Sequence, residues 1–322
     1  MMTGTIVELA RFGGPDVLEY KQAPIAEPGP GALLVEVQAA GVNYLDLVAR
    51  AGAYPPISAT PYRPGFEIAG IVRAVGPGVA KWRVGERVAA ITMAGGGYSS
   101  HLVIPAEIAL PVPSKVDLAV AAALLVQGLT ALLILEEGKV RPGARALISA
   151  AAGGVGMLAV QIAKLRGAKV IALASKEKHD AVRRLGVEQV LDYGQEGWSR
   201  TLQASLGDHA VDLYLDSIGD LSSEALQLLA HGAHWVIYGT RAAPRPLPGE
   251  AVYALVEKNI TIRGFNLEGS AAHFQRALAQ LFAWVSEGQL QVQVTKHALA
   301  DVAKVHGEFE RRQTTGKQIL VP

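Results

Sequence analysis

Residues 149–156 read SAAAGGVG, a turn of small residues that decides the fold of this chain. The turn follows an apolar run, ARALIS at 144–149, and precedes a segment with helical spacing of apolar side chains, GMLAVQIAKLRG at 156–167. Such a turn places backbone N–H groups and the positive end of a helix against a pyrophosphate. A bare glycine pattern is weak evidence, but between a strand and a helix it predicts dinucleotide binding rather than a turn without a ligand.

The pattern of predicted secondary structure changes once along the chain. The first part alternates short apolar runs with glycine and proline turns, which is typical of a mostly-β unit. The predicted strands there are TIVEL at 5–9, ALLVEVQAAGV at 32–42, EIAGIVRAVG at 67–76, RVAAI at 87–91 and SSHLVI at 99–104. After an apolar segment at 118–135, strands and helices alternate, which predicts a parallel sheet covered by helices. The predicted fold class is α/β, a doubly wound Rossmann sheet inserted in a mostly-β domain.

Composition excludes several classes of function. Half of the residues are hydrophobic and 18% are charged, which is a globular composition. Thirty basic and 29 acidic side chains leave a formal charge of +1, so nucleic acid is not an expected partner. The chain has no cysteine, which excludes disulfides, thiolate zinc sites, iron–sulfur clusters and a cysteine nucleophile.

Two segments bear on location. The N-terminus, MMTGTIVELARFGG, lacks the basic start and apolar core of a secretory signal, so a cytoplasmic protein is expected. The stretch at 118–135 carries no charge and approaches the length of a membrane-spanning helix. Gln127, Gly128 and Thr130 interrupt it, however, and it is the only such segment. We therefore expect a buried helix and no membrane partner.

The residues after the second predicted strand distinguish the two nicotinamide cofactors. An NAD site places Asp or Glu about 20 residues beyond the glycine turn, where it holds the ribose hydroxyls. Here the sequence reads ALASKEK at 172–178. Ser175 leaves room for a 2′-phosphate, and Lys176 and Lys178 supply positive charge for it. NADPH is therefore expected rather than NADH. Glu177, between the two lysines, carries a charge that opposes phosphate binding. The alternative is that Lys176 and Lys178 are only solvated surface residues.

Further strings carry a family resemblance: GVNYLDLVARAGAYPP at 41–56, PGFEIAGIV at 64–72, KWRVGERV at 81–88 and TTGKQILVP at 314–322. With the glycine turn they span nearly the whole chain. They resemble the zinc-independent branch of the medium-chain dehydrogenase/reductase superfamily, the NADPH quinone oxidoreductases and related enoyl reductases. The resemblance implies a GroES-like catalytic domain at 1–117 and 267–322 and a Rossmann NADPH-binding domain at 118–266. It also implies a homodimer joined at sheet edges, with NITIRGF at 259–265 as the candidate edge.

The ligands of the zinc-dependent branch are missing. Those relatives have a cysteine ligand near the position of residues 43–46, and Gly-His-Glu where this chain reads Gly65-Phe66-Glu67. Without cysteine a structural zinc lobe is also impossible. His231 and His234 form the one close histidine pair, lack a nearby third ligand and are expected at the surface. No metal site is predicted, and Glu67 is expected to be structural.

The same resemblance assigns two residues to catalysis, Asn43 and Tyr54, which correspond to side chains facing the nicotinamide and the substrate in similar enzymes. In related polyketide enoyl reductases, a tyrosine in this x-Tyr-Pro context is a suggested proton donor. Packing of the cleft wall is the alternative role for Tyr54. An unperturbed phenol is a poor acid near neutral pH, so it would act in concert with the developing enolate or give way to water.

Cofactor-binding residues are expected in the glycine turn, at the ends of strands and near the C-terminus. The set implied by the motif and the resemblance is Asn43, Thr130, Ala151, Gly153, Gly154, Val155, Ser175, Lys176, Lys178, Tyr193, Ser217, Tyr238, Gly239, Phe265 and Lys317.

The expected reaction is metal-free hydride transfer from NADPH to an electron-poor acceptor, either a quinone or an α,β-unsaturated carbonyl. Positioning in a dry cleft does most of the work, and polar groups such as Asn43 and Tyr54 stabilise the oxyanion that forms. Two alternatives stay open. One is an enoyl reductase acting on CoA-bound or carrier-bound thioesters, and the other is a catalytically weak NADPH-binding structural protein.

Overall fold

The computed structural model describes residues 2–187, 189–206, 210–221, 224–240 and 249–322. Most of the stretch TRAAPRPLPGE at 240–250, namely residues 241–248, lies outside the described residues. The chain divides into two compact units, Met1–Gln127 with Leu278–Pro322 and Gly128–Ala277. The predicted joins at 117/118 and 266/267 lie earlier in the chain.

The strands among the described residues are β1 (Thr3–Glu8), β2 (Glu19–Pro24), β3 (Ala32–Val42), β4 (Glu67–Val75), β5 (Arg87–Ile91), β6 (His101–Pro105), β7 (Leu110–Pro111), β8 (Arg145–Ile148), β9 (Lys169–Leu173), β10 (Gln189–Leu191), β11 (Val211–Asp216), β12 (Leu229–Ile237), β13 (Thr261–Gly264), β14 (Val294–Ala298) and β15 (Lys317–Val321).

The α-helices of the same residues are α1 (Tyr44–Arg50), α2 (Leu118–Ala123), α3 (Leu129–Glu137), α4 (Gly154–Leu165), α5 (His179–Arg183), α6 (Trp198–Leu206), α7 (Ala225–Leu228), α8 (Gly249–Glu257), α9 (Phe274–Ser286) and α10 (Val302–Glu310). A π-helical turn, Leu124–Gly128, joins α2 to α3.

Packing between elements and one ion pair explain where the two units divide. Helix α2 packs on β3, β4 and β15, so the chain stays in the first unit through this helix. At the other join, Arg276 pairs with Glu136 of α3, which keeps the start of α9 with the second unit. Sequence periodicity alone carries no information on such long-range contacts.

The first unit is built on a mainly antiparallel sheet in which β3 is the central strand. The strand order is β14-β15-β3-β4-β5-β7, and β6 also pairs with β3. The register between β3 and β4 shifts twice, and bulges of this kind bend a strand and increase its twist. Strand β15 pairs antiparallel with β3, with Gln318 opposite Val42. This register brings Lys317 beside Asn43.

The second unit contains the predicted parallel sheet. Its six described strands lie in the order β10-β9-β8-β11-β12-β13, and every pair is parallel. The order reverses between β8 and β11, and open α/β sheets bind ligands at such a switch point, outside the carboxyl ends of the strands. Buried side chains such as Leu147, Tyr214 and Trp235 form the core. The α/β fold class is confirmed.

The apolar segment predicted as a buried helix is interrupted by the π-helical turn. Residues Leu118–Glu137 meet the length and hydropathy of a membrane span, but 83% of the apolar window is buried inside the protein. Asp117 caps α2, because its side chain accepts hydrogen bonds from the N–H groups of Ala119 and Val120.

Several elements were not predicted from the sequence. Strand β2 reads EYKQAP and has little apolar alternation; among the described residues it pairs with β1 alone, in a two-stranded ribbon. Helix α1 has only seven residues and lies inside a string that was noted for its motif. The strands predicted in the first part of the chain match the observed strands within two residues at each end.

Candidate active site

The glycine turn joins β8 to α4 in the second unit. Ala150 adopts a φ of 47°, and the N–H of Gly153 donates to its carbonyl oxygen at 2.8 Å. A Cβ atom on Gly156 would lie 2.3 Å from that oxygen and 2.7 Å from the Cα of Ala151, so glycine is required there. The turn is therefore held in a conformation that its sequence specifies.

The start of α4 fits a pyrophosphate. Gly153 is the N-cap residue, no side chain caps the helix, and the N–H of Met157 donates to the Gly153 carbonyl oxygen at 2.9 Å. The N–H groups of the first helical residues, Gly154 and Val155, have no intrahelical acceptor and point toward the helix end. Together with the helix dipole they form an anion-binding position. The turn thus suits the phosphate part of a dinucleotide.

Polar side chains converge at the carboxyl edge of the parallel sheet. Ser149, at the end of β8, accepts from the N–H of Ser217 at 2.7 Å, and the two hydroxyl oxygens are 3.0 Å apart. The Tyr238 side chain, after β12, lies beside both serines: burial raises the pKa of Tyr238, and the two serine hydroxyls oppose that rise. A Cβ atom on Gly239 would lie 2.1 Å from the Ser217 carbonyl oxygen. The predicted Ser217, Tyr238 and Gly239 therefore form one cluster, to which Ser149 belongs.

Ser175 and Tyr193 follow the adjacent strands β9 and β10. The N–H of Ala174 donates to the Leu191 carbonyl at 3.0 Å, which keeps these two strand ends together. Ser175 is half-buried and Tyr193 is exposed, beside a 3-10 turn, Lys176–Lys178, in which Lys176 is exposed and Lys178 half-buried.

Two further predicted residues lie in the same unit. Phe265 is half-buried, and its N–H donates to the Ile237 carbonyl at the end of β12, so it adjoins the Tyr238 cluster. Thr130 is buried on α3.

Asn43, Glu67 and Lys317 form a buried polar cluster in the first unit. Lys317 Nζ donates to Asn43 Oδ1 at 2.7 Å and forms an ion pair with Glu67. Asn43 Nδ2 donates to Glu67 Oε1 at 2.8 Å. The Lys317 side chain is 2% exposed and that of Glu67 is not exposed at all. The cluster joins β15, β4 and the residue before α1.

A backbone N–H outside the cluster also donates a hydrogen bond to the Glu67 carboxylate. Glu67 Oε2 accepts the N–H of Val126 at 2.7 Å, and Val126 lies in the π-helical turn, where the regular α-helical hydrogen bonding is interrupted. A Cβ atom on Gly41 would lie 2.0 Å from Glu67 Oε1. Burial lowers the pKa of Lys317, and the attraction of Glu67 opposes that shift. Each charge therefore depends on the other.

Asp46 fixes the start of α1. Its carboxylate accepts the N–H of Asn43 at 2.8 Å and the N–H of Gly65 at 3.1 Å. Burial raises the pKa of Asp46 to about 7, against the lowering effect of the Asn43 N–H. The predicted catalytic Tyr54 is half-buried and packs edge-on against Phe66, with ring centroids 5.9 Å apart.

Three site residues were missed from the sequence. Ser149 opens the glycine turn but was read only as part of its motif. Asp46 stands three residues after Asn43, the spacing of a capping interaction at a helix start. Glu67 was expected to be structural, and its bonds to Asn43 and Lys317 place it in the same cluster as two predicted site residues. The Asn43 and Asp46 spacing was the available signal.

Comparisons with known proteins agree with this architecture. A family model described as the alcohol dehydrogenase GroES-like domain matches residues 29–114, and one described as zinc-binding dehydrogenase matches residues 154–284. The chain is 34% identical to a quinone oxidoreductase of Pseudomonas aeruginosa over 98% of this chain and 99% of the relative. It is also 34% identical to a 2-haloacrylate reductase of a Burkholderia species, with 96% of each chain covered.

Among solved structures, the chain resembles Escherichia coli quinone oxidoreductase complexed with NADPH. The TM-score is 0.91 at 32% identity, covering 99% of this chain and all of the other.

We predict that the Lys317–Glu67 pair is energetically coupled. Lys317→Met should lower the free energy of unfolding by about 3–5 kcal/mol, because it leaves a buried carboxylate without its cation. The double variant with Glu67→Gln should recover part of that loss. Urea unfolding of the wild type, the Lys317→Met and Glu67→Gln single variants and the double variant measures the coupling free energy. Arg73→Met is the control, because it removes one partner of a more exposed ion pair, with Glu36. Strictly additive losses would contradict the prediction.

Proposed function

The chain belongs to the quinone oxidoreductase branch of the medium-chain dehydrogenase/reductase superfamily, and from this premise we propose that it is an NADPH-dependent reductase of quinones or α,β-unsaturated carbonyls. The observation that carries the proposal is the glycine turn, which leaves the N–H groups at the start of α4 open to a pyrophosphate. The full-length similarity to a quinone oxidoreductase supports the acceptor class. A cytoplasmic location is part of the same proposal.

NADPH is favoured over NADH by the chemistry at the end of β9. Ser175 stands where an NAD site has a carboxylate, and Lys176 and Lys178 follow it in the 3-10 turn. A 2′-phosphate gains charge-assisted hydrogen bonds from such lysines, whereas a carboxylate at the strand end would repel it. The solved relative with bound NADPH supports the same choice. The predicted set of cofactor-binding residues is retained in this proposal.

NADPH supplies the hydride when it is bound, and the chain supplies position and polarity. Asn43 is held by Glu67 and Lys317, which use its carbonyl oxygen and one of its two amide hydrogens. The second amide hydrogen remains for an oxygen of the acceptor, where negative charge develops. Reduction also consumes a proton. Tyr54 or water delivers it, and the packing of Tyr54 against Phe66 fixes the orientation of the ring.

A reaction without zinc is part of the proposal. The chain has no cysteine, and Phe66 stands where zinc-dependent relatives have a histidine ligand. The Glu67 carboxylate is already bonded to Lys317, Asn43 and Val126. Groups of three or more His, Asp or Glu that could hold a metal are absent from the described part of the chain. The name of the matching family model describes other members' zinc binding.

We further propose a homodimer formed through the second unit. Strand β13 is the last in its sheet and pairs only with β12 among the described strands. Nearby α8 exposes Val252, Tyr253 and Val256, at 47%, 70% and 72%. Val252 and Tyr253 lie four and three residues before Val256, so both neighbour it on one apolar face of the helix. A second copy would cover both the strand edge and this face.

Steady-state NADPH oxidation tests the function. We expect turnover with at least one benzoquinone, naphthoquinone or enone, and slower turnover with an enoyl-CoA. Faster turnover of the enoyl-CoA would favour the thioester reductase instead. Tight NADPH binding without turnover of any acceptor would leave only the structural binding protein.

The two lysines should determine cofactor preference. Changing Lys176 and Lys178 together to Ala should reduce the preference for NADPH over NADH by at least about tenfold, because charge-assisted hydrogen bonds to the 2′-phosphate are lost. The dissociation constants of both cofactors measure this preference. Lys169→Ala, which removes an exposed lysine from the other end of β9, is the control. An unchanged preference in the double variant would refute the assignment.

Light scattering after size exclusion tests the dimer. The wild-type protein should have twice the 33.9 kDa mass of one chain. Replacing Tyr253 and Val256 together by Glu should give monomers, because two charges cannot be buried in an apolar interface. Val84→Glu, at an exposed apolar residue of the first unit, should remain dimeric. A monomeric wild type, or a dimeric double variant, would contradict the interface.

A further inference from the structure

A line of buried polar groups connects helices α1 and α10 in the first unit. Arg50 Nη1 lies 3.3 Å from His306 Nδ1, and His306 Nε2 lies 3.2 Å from the Tyr98 hydroxyl oxygen. Tyr98 in turn adjoins Asp46: the Tyr98 backbone N–H donates to the Pro64 carbonyl oxygen at 3.0 Å, and Asp46 accepts the N–H of the next residue, Gly65. The side chains of all four residues are at most 2% exposed. At the outer end, Arg50 pairs with Glu310, whose side chain is 41% exposed.

The chemistry of these groups fixes the direction of every hydrogen bond. A guanidinium has only donors, so Arg50 donates and His306 Nδ1 must accept. Burial, with the nearby Arg50 charge, lowers the pKa of His306 to about 3, so the ring is neutral and carries its hydrogen on Nε2. That hydrogen is donated to the Tyr98 oxygen. The single hydroxyl hydrogen of Tyr98 is then left for the Asp46 carboxylate, the neighbouring charge that, after burial, raises the pKa of Tyr98.

Asp46 connects this line of polar groups to the candidate active site. Its two oxygens accept the N–H groups of Asn43, at the start of α1, and Gly65, two residues before Glu67. Asn43 and Glu67 are the two residues that the Lys317 ammonium bonds. The segments that carry the cluster are thus tied together by Asp46 from one side and by Lys317 from the other.

We propose that His306 is a positioning residue: through Tyr98 and Asp46 it holds the backbone at Asn43 and Gly65, and so the Asn43 amide, in the orientation that hydride transfer requires. The catalytic part of this inference rests on the proposed function. The line is not a path for protons from solvent, because it passes through Arg50, and a guanidinium does not release its proton in proteins. Its role is to orient groups.

Two amide replacements of His306 separate orientation from simple packing. Gln at position 306 reaches as far as Nε2 and can still donate to Tyr98, whereas Asn reaches only as far as Nδ1 and cannot. His306→Asn and Tyr98→Phe should each lower kcat about tenfold, the effect of one lost hydrogen bond, with KM for NADPH nearly unchanged. His306→Gln should keep kcat within about threefold of the wild type. Ile104→Ala, at a buried core residue outside the line, is the stability control and should keep the wild-type kcat.

A second readout does not depend on turnover. Amide hydrogen exchange should accelerate at Asn43 and Gly65 in Tyr98→Phe and His306→Asn, relative to both the wild type and Ile104→Ala. Equal kcat for the Gln and Asn variants, or losses that only follow thermal stability as in Ile104→Ala, would overturn the catalytic role. Unchanged exchange at Asn43 and Gly65 would overturn the positioning itself. If the wild type turns over no acceptor, the proposed function fails, and the exchange data alone decide whether the line holds these residues.

Discussion

The buried ion pair between Lys317 and Glu67 is the constraint on which the first unit depends. Neither charge is accessible to solvent, and a buried charge is tolerated only when it is paired and hydrogen-bonded. The pair connects the last strand of the chain to β4, and Asn43 bonds to both partners. The Glu67 carboxylate leaves no space for a Cβ atom at position 41, so glycine is required there. It also accepts the backbone N–H of Val126 in the π-helical turn.

This cluster fixes the geometry of the segment around Asn43 through an ion pair and hydrogen bonds between side chains. Asn43 is held through its side chain by Lys317 and Glu67 and through its backbone by Asp46. An amide fixed by three neighbours needs little reorganisation when charge develops on a substrate oxygen, which is the basis of electrostatic catalysis. In the second unit, the first N–H groups of α4 have no intrahelical acceptor, and Ser149, Ser217 and Tyr238 lie together at the carboxyl edge of the parallel sheet.

The part of this architecture that depends on local sequence was predictable. The glycine turn and the parallel strands follow from residues that are neighbours in the chain, and both the turn and the fold class agree with the structure. The buried cluster joins residues 274 positions apart, and no periodicity reports such a contact. Lys317 was assigned to the cofactor through family resemblance. The structure shows that its ammonium group bonds Asn43 and Glu67, so any contact with a cofactor stays a prediction.

The proposed function makes a polar cluster, rather than zinc, the organising centre of an NADPH-dependent reductase. It is tested most directly by measuring zinc content and NADPH oxidation on one sample of chelator-treated protein, with a quinone or enone acceptor. We expect turnover with far less than one zinc per chain and no increase when zinc is added. Turnover that appears only after zinc is added, in proportion to the zinc bound, would contradict the account.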